Sequence, residues 1–219
     1  MTKIKEIFTS IQGEGPFVGY KQLFIRFCGC NLSCNYCDTD FDSIGAKEFS
    51  KEDLIEICSS NSDCHSAALT GGEPLLNIDF LKEFLPSCPL NVYLETNGTL
   101  FEELNEIVDY VDYISMDIKL PSCTEQSPQW EAHDKFLRNA KGKNIFVKVV
   151  FDNNINDYEI VKTTRLVSKY GVELVLQPKM NGKDCSVTSE FITETLDKFL
   201  KHYKNTRLIP QVHKFLNVD

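Results

Sequence analysis

The sequence predicts an α/β fold, a partial (β/α)6-type barrel with parallel strands. Short β-rich apolar runs alternate with segments of helical period along the 219 residues, and that alternation implies a parallel sheet with right-handed crossovers. The length fits one large domain, residues 1–219, better than two. The chemically unusual residues gather just after the apolar runs, at the C-terminal strand ends where such folds place their function.

Taken in chain order, "QLFIRF" (22–27) is a strand that leads straight into a cysteine-rich stretch. "KEDLIEICSS" is helical, and "SAALT" (66–70) is a strand ending in Gly71-Gly72. "IDFLKEFL" is helical, and "NVYLET" (91–96) is a strand ending at Asn97-Gly98. "FEELNEIVDY" is helical, "DYISMDI" (112–118) a strand, 131–140 a helix and "NIFVKVVF" (144–151) a strand. "DYEIVKTTRLVSKY" is a helix, "VELVLQP" (172–178) a strand, "TSEFITETLDKFLKHY" a helix and "RLIPQV" a last strand. The strand-end groups would then face one cavity: the cysteines, Gly71-Gly72-Glu73-Pro74, Glu95-Thr96-Asn97-Gly98, Asp117-Ile118-Lys119, Gln177-Pro178-Lys179 and Gln211-Val212-His213.

Composition narrows the function. A hydrophobic share of 42% with 25% charged residues allows a sizeable core. No apolar run approaches the ~20 residues that span a membrane. The first residues contain no apolar targeting segment, so a cytoplasmic protein is expected. Nine cysteines, an odd count, argue against a disulfide framework. A formal charge of −9 disfavours a nucleic-acid partner.

The stretch "FCGCNLSCNYCDTDF" (27–41) holds Cys28, Cys30, Cys34 and Cys37. A closed zinc site would usually pair two Cys-x-x-Cys arms, and no second arm follows. Buried structural cysteines are the ordinary reading of scattered thiols but not of this density. Thiolates also hold iron–sulfur clusters. Cys30-x3-Cys34-x2-Cys37 gives three ligands to a cluster of four irons, leaving one iron open to a small molecule. Cys28 could be a fourth ligand, but its parity with Phe24 and Arg26 makes it a non-ligand near the site. Cys58, Cys64, Cys88, Cys123 and Cys185 are isolated, as small buried or incidental thiols are.

The Cys-x3-Cys-x2-Cys spacing after a first strand, with Tyr36 before the last cysteine and "GGEP" 34 residues past Cys37 at a second strand end, resembles the radical S-adenosylmethionine (SAM) superfamily. "FTSIQGEGPFVG", "FIRFCGC", "CNYCDT", "TGGEPLL", "LETNGT" and "QVHKFLNVD", spread over residues 8–219, together resemble the 7-carboxy-7-deazaguanine synthase family. The resemblance implies a lyase that turns 6-carboxy-5,6,7,8-tetrahydropterin into 7-carboxy-7-deazaguanine with loss of ammonia, for queuosine and other 7-deazapurines. It implies a [4Fe–4S] cluster on Cys30, Cys34 and Cys37, SAM as the radical source, and Mg2+ on Thr39. It further implies a homodimer and a flavodoxin- or ferredoxin-like reductant. Tyr36, Cys37, Asp38, Gly72, Glu95, Asp117, Ile118, Lys119, Gln177, Pro178, Lys179 and Met180 would line the SAM side. Ile11, Gln12, Gly13, Arg26, Thr70, His213 and Asp219 would meet the substrate, so that segments 8–26 and 206–219 complete its site. Other members carry Ser-Pro-Lys where this chain has Asp117-Ile118-Lys119.

Residue chemistry alone leaves blander readings beside several of these. Arg26 points inward from an apolar strand and needs an anion, either a substrate carboxylate or a structural salt bridge. Thr39 could close a turn, 11–15 could be a glycine turn, and His213 could be structural. The competing functions are a glycyl-radical activating enzyme and a non-catalytic iron–sulfur electron carrier.

Overall fold

The computed structural model describes residues 1–35, 37 and 42–218. Its strands are β1 (Thr2–Ile11), β2 (Lys21–Phe27), β3 (Lys47–Phe49), β4 (Ser66–Gly71), β5 (Val92–Thr96), β6 (Tyr113–Asp117), β7 (Asn144–Phe151), β8 (Glu173–Pro178), β9 (Met180–Asn181), β10 (Asp184–Cys185) and β11 (Thr206–Leu208). The helices are α1 (Lys51–Ser60), α2 (Ile78–Phe84), α3 (Phe101–Ile107), α4 (Pro121–Thr124), α5 (Trp130–Asn139), α6 (Asp157–Tyr170), α7 (Ser189–His202) and α8 (Val212–Leu216). Among the described residues one sheet runs β11-β8-β7-β6-β5-β4-β2-β1-β3, with β9 and β10 forming a separate hairpin. β2 to β11 pair in parallel along that row, whereas β1 lies antiparallel to both β2 and β3. The sheet is open, with β11 and β3 at its edges.

The period of two decides what each face does. Leu23, Ile25 and Phe27 of β2, Val147, Val149 and Phe151 of β7, and their counterparts in the other parallel strands point to the helices and form the larger core with Leu54, Phe84, Leu104, Phe136, Ile160 and Phe199. The intervening residues point the other way. Low on that inner face, Phe24, Ala68, Tyr93, Phe146 and Val175 form a second core with Phe8, Phe17, Tyr113 and Ile209. Phe17, from the turn after β1, plugs this end, 4.7 Å from the Tyr113 ring and 5.4 Å from that of Tyr93. Helix starts are fixed locally. Ser50 before α1 and Asn156 before α6 form capping boxes with Asp53 and Glu159.

Two elements depart from expectation. The "FEELNEIVDY" helix ends at Ile107 and tightens into a 3-10 turn over Val108–Tyr110. "RLIPQV" is a strand only to Leu208, and Val212 already begins α8; Pro210 cannot donate to a ladder and separates the two. Cys58, Cys64 and Cys123 are buried. No helix among the described residues is long and apolar enough to cross a membrane.

Candidate functional site

Beyond the second core, towards the C-terminal strand ends, the inner face changes character. The inward positions become Arg26, Thr70, Glu95, Asp117, Lys148 and Gln177, on six successive parallel strands. In register, Arg26 lies beside Thr70, Glu95 beside Ser115, and Asp117 beside Lys148. They form the floor of a cavity of about 340 Å³ at the C-terminal strand ends, within the range of small-molecule sites.

A string of alternating charge crosses this floor. The Lys148 side chain is 9% exposed and pairs with the Glu14 carboxylate and, at 3.4 Å, with Asp117 Oδ1. Asp117 Oδ2 accepts from Lys119 at 2.7 Å. Burial pushes the Glu14 carboxyl up, but Lys148, with Gln211 donating to Glu14 at 2.7 Å, outweighs it and brings the value down to about 2. Burial also opposes the charge on Lys148, and Asp117, Glu14 and Glu95 reverse that effect and raise it. Burial raises Glu95, whose oxygens accept from Gln12 at 3.0 Å and Thr70 at 2.7 Å.

The two ends of the chain form one wall. Val212 N–H donates to the Gly13 carbonyl at 2.8 Å. A Cβ at Gly13 would stand 2.2 Å from His213 Nδ1 and 2.6 Å from its backbone nitrogen, so only glycine lets the tail lie this close.

Cys30, Cys34 and Cys37 also line the cavity. Cys28 does not. Its N–H bonds the Lys3 carbonyl, and it lines a separate recess with Met1, Thr2, Lys3 and Asn77. Asn97 links the cysteine stretch to β5, donating to Asn31 Oδ1 at 2.8 Å and approaching Cys30 Sγ at 4.0 Å.

A family profile described as the radical SAM superfamily matches residues 24–192. A 7-carboxy-7-deazaguanine synthase of Geobacter sulfurreducens is 34% identical over 98% of this chain and 96% of its own. One from Archaeoglobus fulgidus is 33% identical over 97% of each. The chain belongs to the 7-carboxy-7-deazaguanine synthase family. Among solved structures, QueE from Escherichia coli superposes with a TM-score of 0.64 at 20% identity, over 97% of this chain and 94% of that one. A radical SAM methyltransferase from Sphaerobacter thermophilus gives 0.61 at 10% identity, over 93% and 77%. Both show the same fold.

Membership in the radical SAM superfamily implies a [4Fe–4S] cluster and SAM. The donors on the rim fit the cluster. Cys30 and Cys34 are half-buried and Cys37 is exposed, all at one cavity. Among the described residues no three Cys, His, Asp or Glu close on a single ion; a cluster of several irons spreads its cysteines wider than one ion does.

Most residues expected from the 7-carboxy-7-deazaguanine synthase family pattern meet here. Ile11, Gln12, Gly13, Arg26, Thr70 and His213 line the same cavity as Gly72, Glu95, Asp117, Lys119, Gln177, Lys179 and Met180. Ile118 and Pro178 are not in its lining; Ile118 is 2% exposed in the helix-side core, and Pro178 is buried. Tyr36, Asp38, Thr39 and Asp219 lie outside the described residues. Glu95 was expected on the SAM side, yet its carboxylate is held by Gln12 and Thr70 of the substrate side. The Gln12 amide is committed internally, donating to Gln22 and Glu95 and accepting from Glu14 N–H. The Arg26 guanidinium lies 5.1 Å from the Phe8 ring centre, its Nε 3.4 Å from Glu6 Oε2 in an ion pair and with no hydrogen-bond partner among the described residues. Asn97 and Gln211 were expected at the cavity as parts of strand-end groups, without a role of their own, and both line it; Glu14 and Lys148 were not anticipated. Lys148 had a signal: one cation inside the apolar run "NIFVKVVF".

Two buried titratable groups brace the Asn97 turn from behind. Glu73 accepts from the Thr96 hydroxyl at 2.9 Å, Asn97 N–H at 2.8 Å and Leu75 N–H at 3.2 Å, yet burial pushes its carboxyl up to about 7. His133 Nε2 lies 3.1 Å from the Asn97 carbonyl oxygen, and burial pulls the imidazole down to about 4. Their effects on stability have opposite signs. Folded Glu73 keeps a proton that the unfolded carboxyl loses near 4.5, so its contribution falls as pH rises from there to about 7. Folded His133 stays neutral where the unfolded imidazole charges near 6.5, so its contribution falls as pH drops from there to about 4. In the overlap the two slopes offset each other. His133→Gln is expected to unmask a declining urea midpoint between about pH 4.5 and 7. A variant profile as flat as the wild type would remove this role for Glu73.

Proposed function

We propose that this chain is a radical SAM lyase converting 6-carboxy-5,6,7,8-tetrahydropterin to 7-carboxy-7-deazaguanine with loss of ammonia, in the pathway to queuosine or a related 7-deazapurine. The carrying observation is one cavity lined both by Cys30, Cys34 and Cys37 and by the joined N-terminal turn and C-terminal tail. The cluster and SAM, when bound, supply a carbon-centred radical that abstracts hydrogen.

The protein's own groups bind and orient. Arg26, which lines the cavity and whose Nε has no hydrogen-bond partner among the described residues beside its 3.4 Å ion pair with Glu6, takes the substrate carboxylate. Glu95, Thr70 and the backbone of Ile11, Gln12 and Gly13 meet the pterin's donor edge, since a carboxylate is an acceptor suited to N–H groups. His213 closes that side, and the family pattern assigns Asp219 to the substrate as well. Gly72, Asp117, Lys119, Gln177, Lys179 and Met180 bound the SAM side, with Tyr36, Asp38, Ile118 and Pro178 assigned there by the family pattern. By the family pattern Thr39 would give a hard oxygen to Mg2+. The enzyme is a single-domain, cytoplasmic homodimer reduced by a flavodoxin- or ferredoxin-like protein. The charge of −9 suits neither nucleic acid nor an anionic surface.

The test is anaerobic: reconstituted protein, SAM, reductant and the carboxypterin, followed by mass spectrometry. Formation of 7-carboxy-7-deazaguanine and ammonia is expected, stimulated by Mg2+ in the wild type and less so in Thr39→Ala. Deoxyadenosine without pterin turnover would point to another radical SAM reaction. No deoxyadenosine at all would leave an electron carrier.

A further inference from the structure

We propose that Lys148 is a positioning residue of the substrate wall: it holds Glu14, and through Glu14 it holds the C-terminal tail against the cavity. The proposal rests on the functional reading above and assigns a role to residues outside the family's binding pattern.

Lys148 sits where a buried strand would ordinarily place an apolar side chain. Its inward neighbours on β7 are Phe146 and Val150. A buried cation is retained only with partners that neutralise it. Those partners come from separate pieces of the chain: Glu14 from the turn after β1, and Asp117 from the end of β6. Asp117 has Lys119 as a second partner at 2.7 Å, whereas among the described residues Glu14 has its ion pair with Lys148, helped by the nearby His213 ring. Glu14 also accepts from Gln211, just before α8. The tail is attached at two further points, Val212 N–H to Gly13 and Ile209 N–H to Leu176 at 3.0 Å. Gly13 and Glu14 are adjacent, so whatever moves Glu14 moves both attachments nearest His213.

Without Lys148, Glu14 would face Asp117 and Glu95 across the cavity floor without its ion-pair partner, since Lys119 pairs with Asp117. A carboxylate in that position is repelled towards water. The turn would shift outward and release Gln211 and Val212. Two halves of the site should respond differently. Substrate contacts on Gly13 and His213 are loosened, while Lys119 and Lys179, just past the ends of β6 and β8, and Met180 on β9 are reached by neither attachment and stay in place. An ion pair serving stability alone would weaken the whole sheet and leave substrate affinity unchanged in the folded fraction.

The experiment compares reconstituted wild type with Lys148→Met, Glu14→Gln and the double variant. Hydrogen-exchange mass spectrometry reads the tail, 209–218, against β4 and β5. The single variants should exchange about tenfold faster in the tail with the strands unchanged, raise the pterin KM about tenfold, and leave the SAM Kd within about twofold. The double variant has no unmatched Glu14 charge, so it should recover the thermal stability lost in Lys148→Met while its tail stays loose and its pterin KM stays high. If Lys148→Met does not fold, Glu14→Gln and the double variant decide. Tail exchange and KM at wild-type levels in either would overturn the proposal, as would uniform loosening of the sheet. Absent pterin turnover by wild type would instead defeat the functional reading, and the exchange arm would still judge Lys148.

Discussion

Alanine at Cys30, Cys34 or Cys37 is expected to give a folded protein with no [4Fe–4S] cluster and no deoxyadenosine formation, while Cys28→Ala keeps both. The three cysteines stand at the cavity rim, and none belongs to the helix-side core that carries the fold. Removing one thiol therefore leaves the sheet intact. It also leaves two ligands for a cluster that already has an open iron, which is too few to retain it. Cys28 is adjacent in sequence but opens into the recess with Lys3 and Asn77. Iron content, the visible spectrum of each anaerobically reconstituted variant and a circular dichroism control separate the outcomes. Iron loss from Cys28→Ala with an intact fold would show that Cys28 is a ligand.

Gly71→Ala is expected to be the most damaging small substitution, costing about 3–5 kcal/mol of stability and preventing cluster loading. Gly71 has φ +113°, and a Cβ there would lie 2.3 Å from the Phe27 carbonyl oxygen and 2.6 Å from the Phe27 nitrogen. Both atoms are backbone of the paired strand β2, so nothing flexible can yield. The same junction anchors the cysteine stretch, because Gly72 N–H donates to Phe27 O at 3.1 Å and Glu73 N–H to Gly29 O at 2.8 Å. Gly142→Ala is the control. Its φ is +88° with open space around it, so it should cost only about 1 kcal/mol, the conformational part. Urea denaturation of both apo variants measures the difference. Equal losses would mean that the close approach at Gly71 contributes nothing.

The parallel units were legible because each strand is a short β-rich run and each following helix has its own period and cap. The run 144–151 matches β7 at both ends, and the helix 157–170 matches α6. β1 was passed over because Lys3, Lys5 and Glu6 break its apolar character, although Ile4 is buried and the strand pairs with β2 along most of its length. The site was legible where a motif marked it. Glu14 and Lys148 were missed since each makes sense only beside the other, and they stand 134 residues apart. Arg26 drew notice as a charge in an apolar strand, and the same rule applied to "NIFVKVVF" would have found Lys148.

The attachment of the tail to the first turn has a consequence in time. Gln211 and Glu14 are separated by 197 positions, whereas each strand–helix unit closes over a short stretch of chain. Long closures are entropically costly and come late. The sheet can therefore assemble before this wall of the cavity exists, and under stress the wall is the first part to come undone. Activity should disappear at a lower urea concentration than helical circular dichroism. Coincident transitions would mean that wall and sheet form a single cooperative unit.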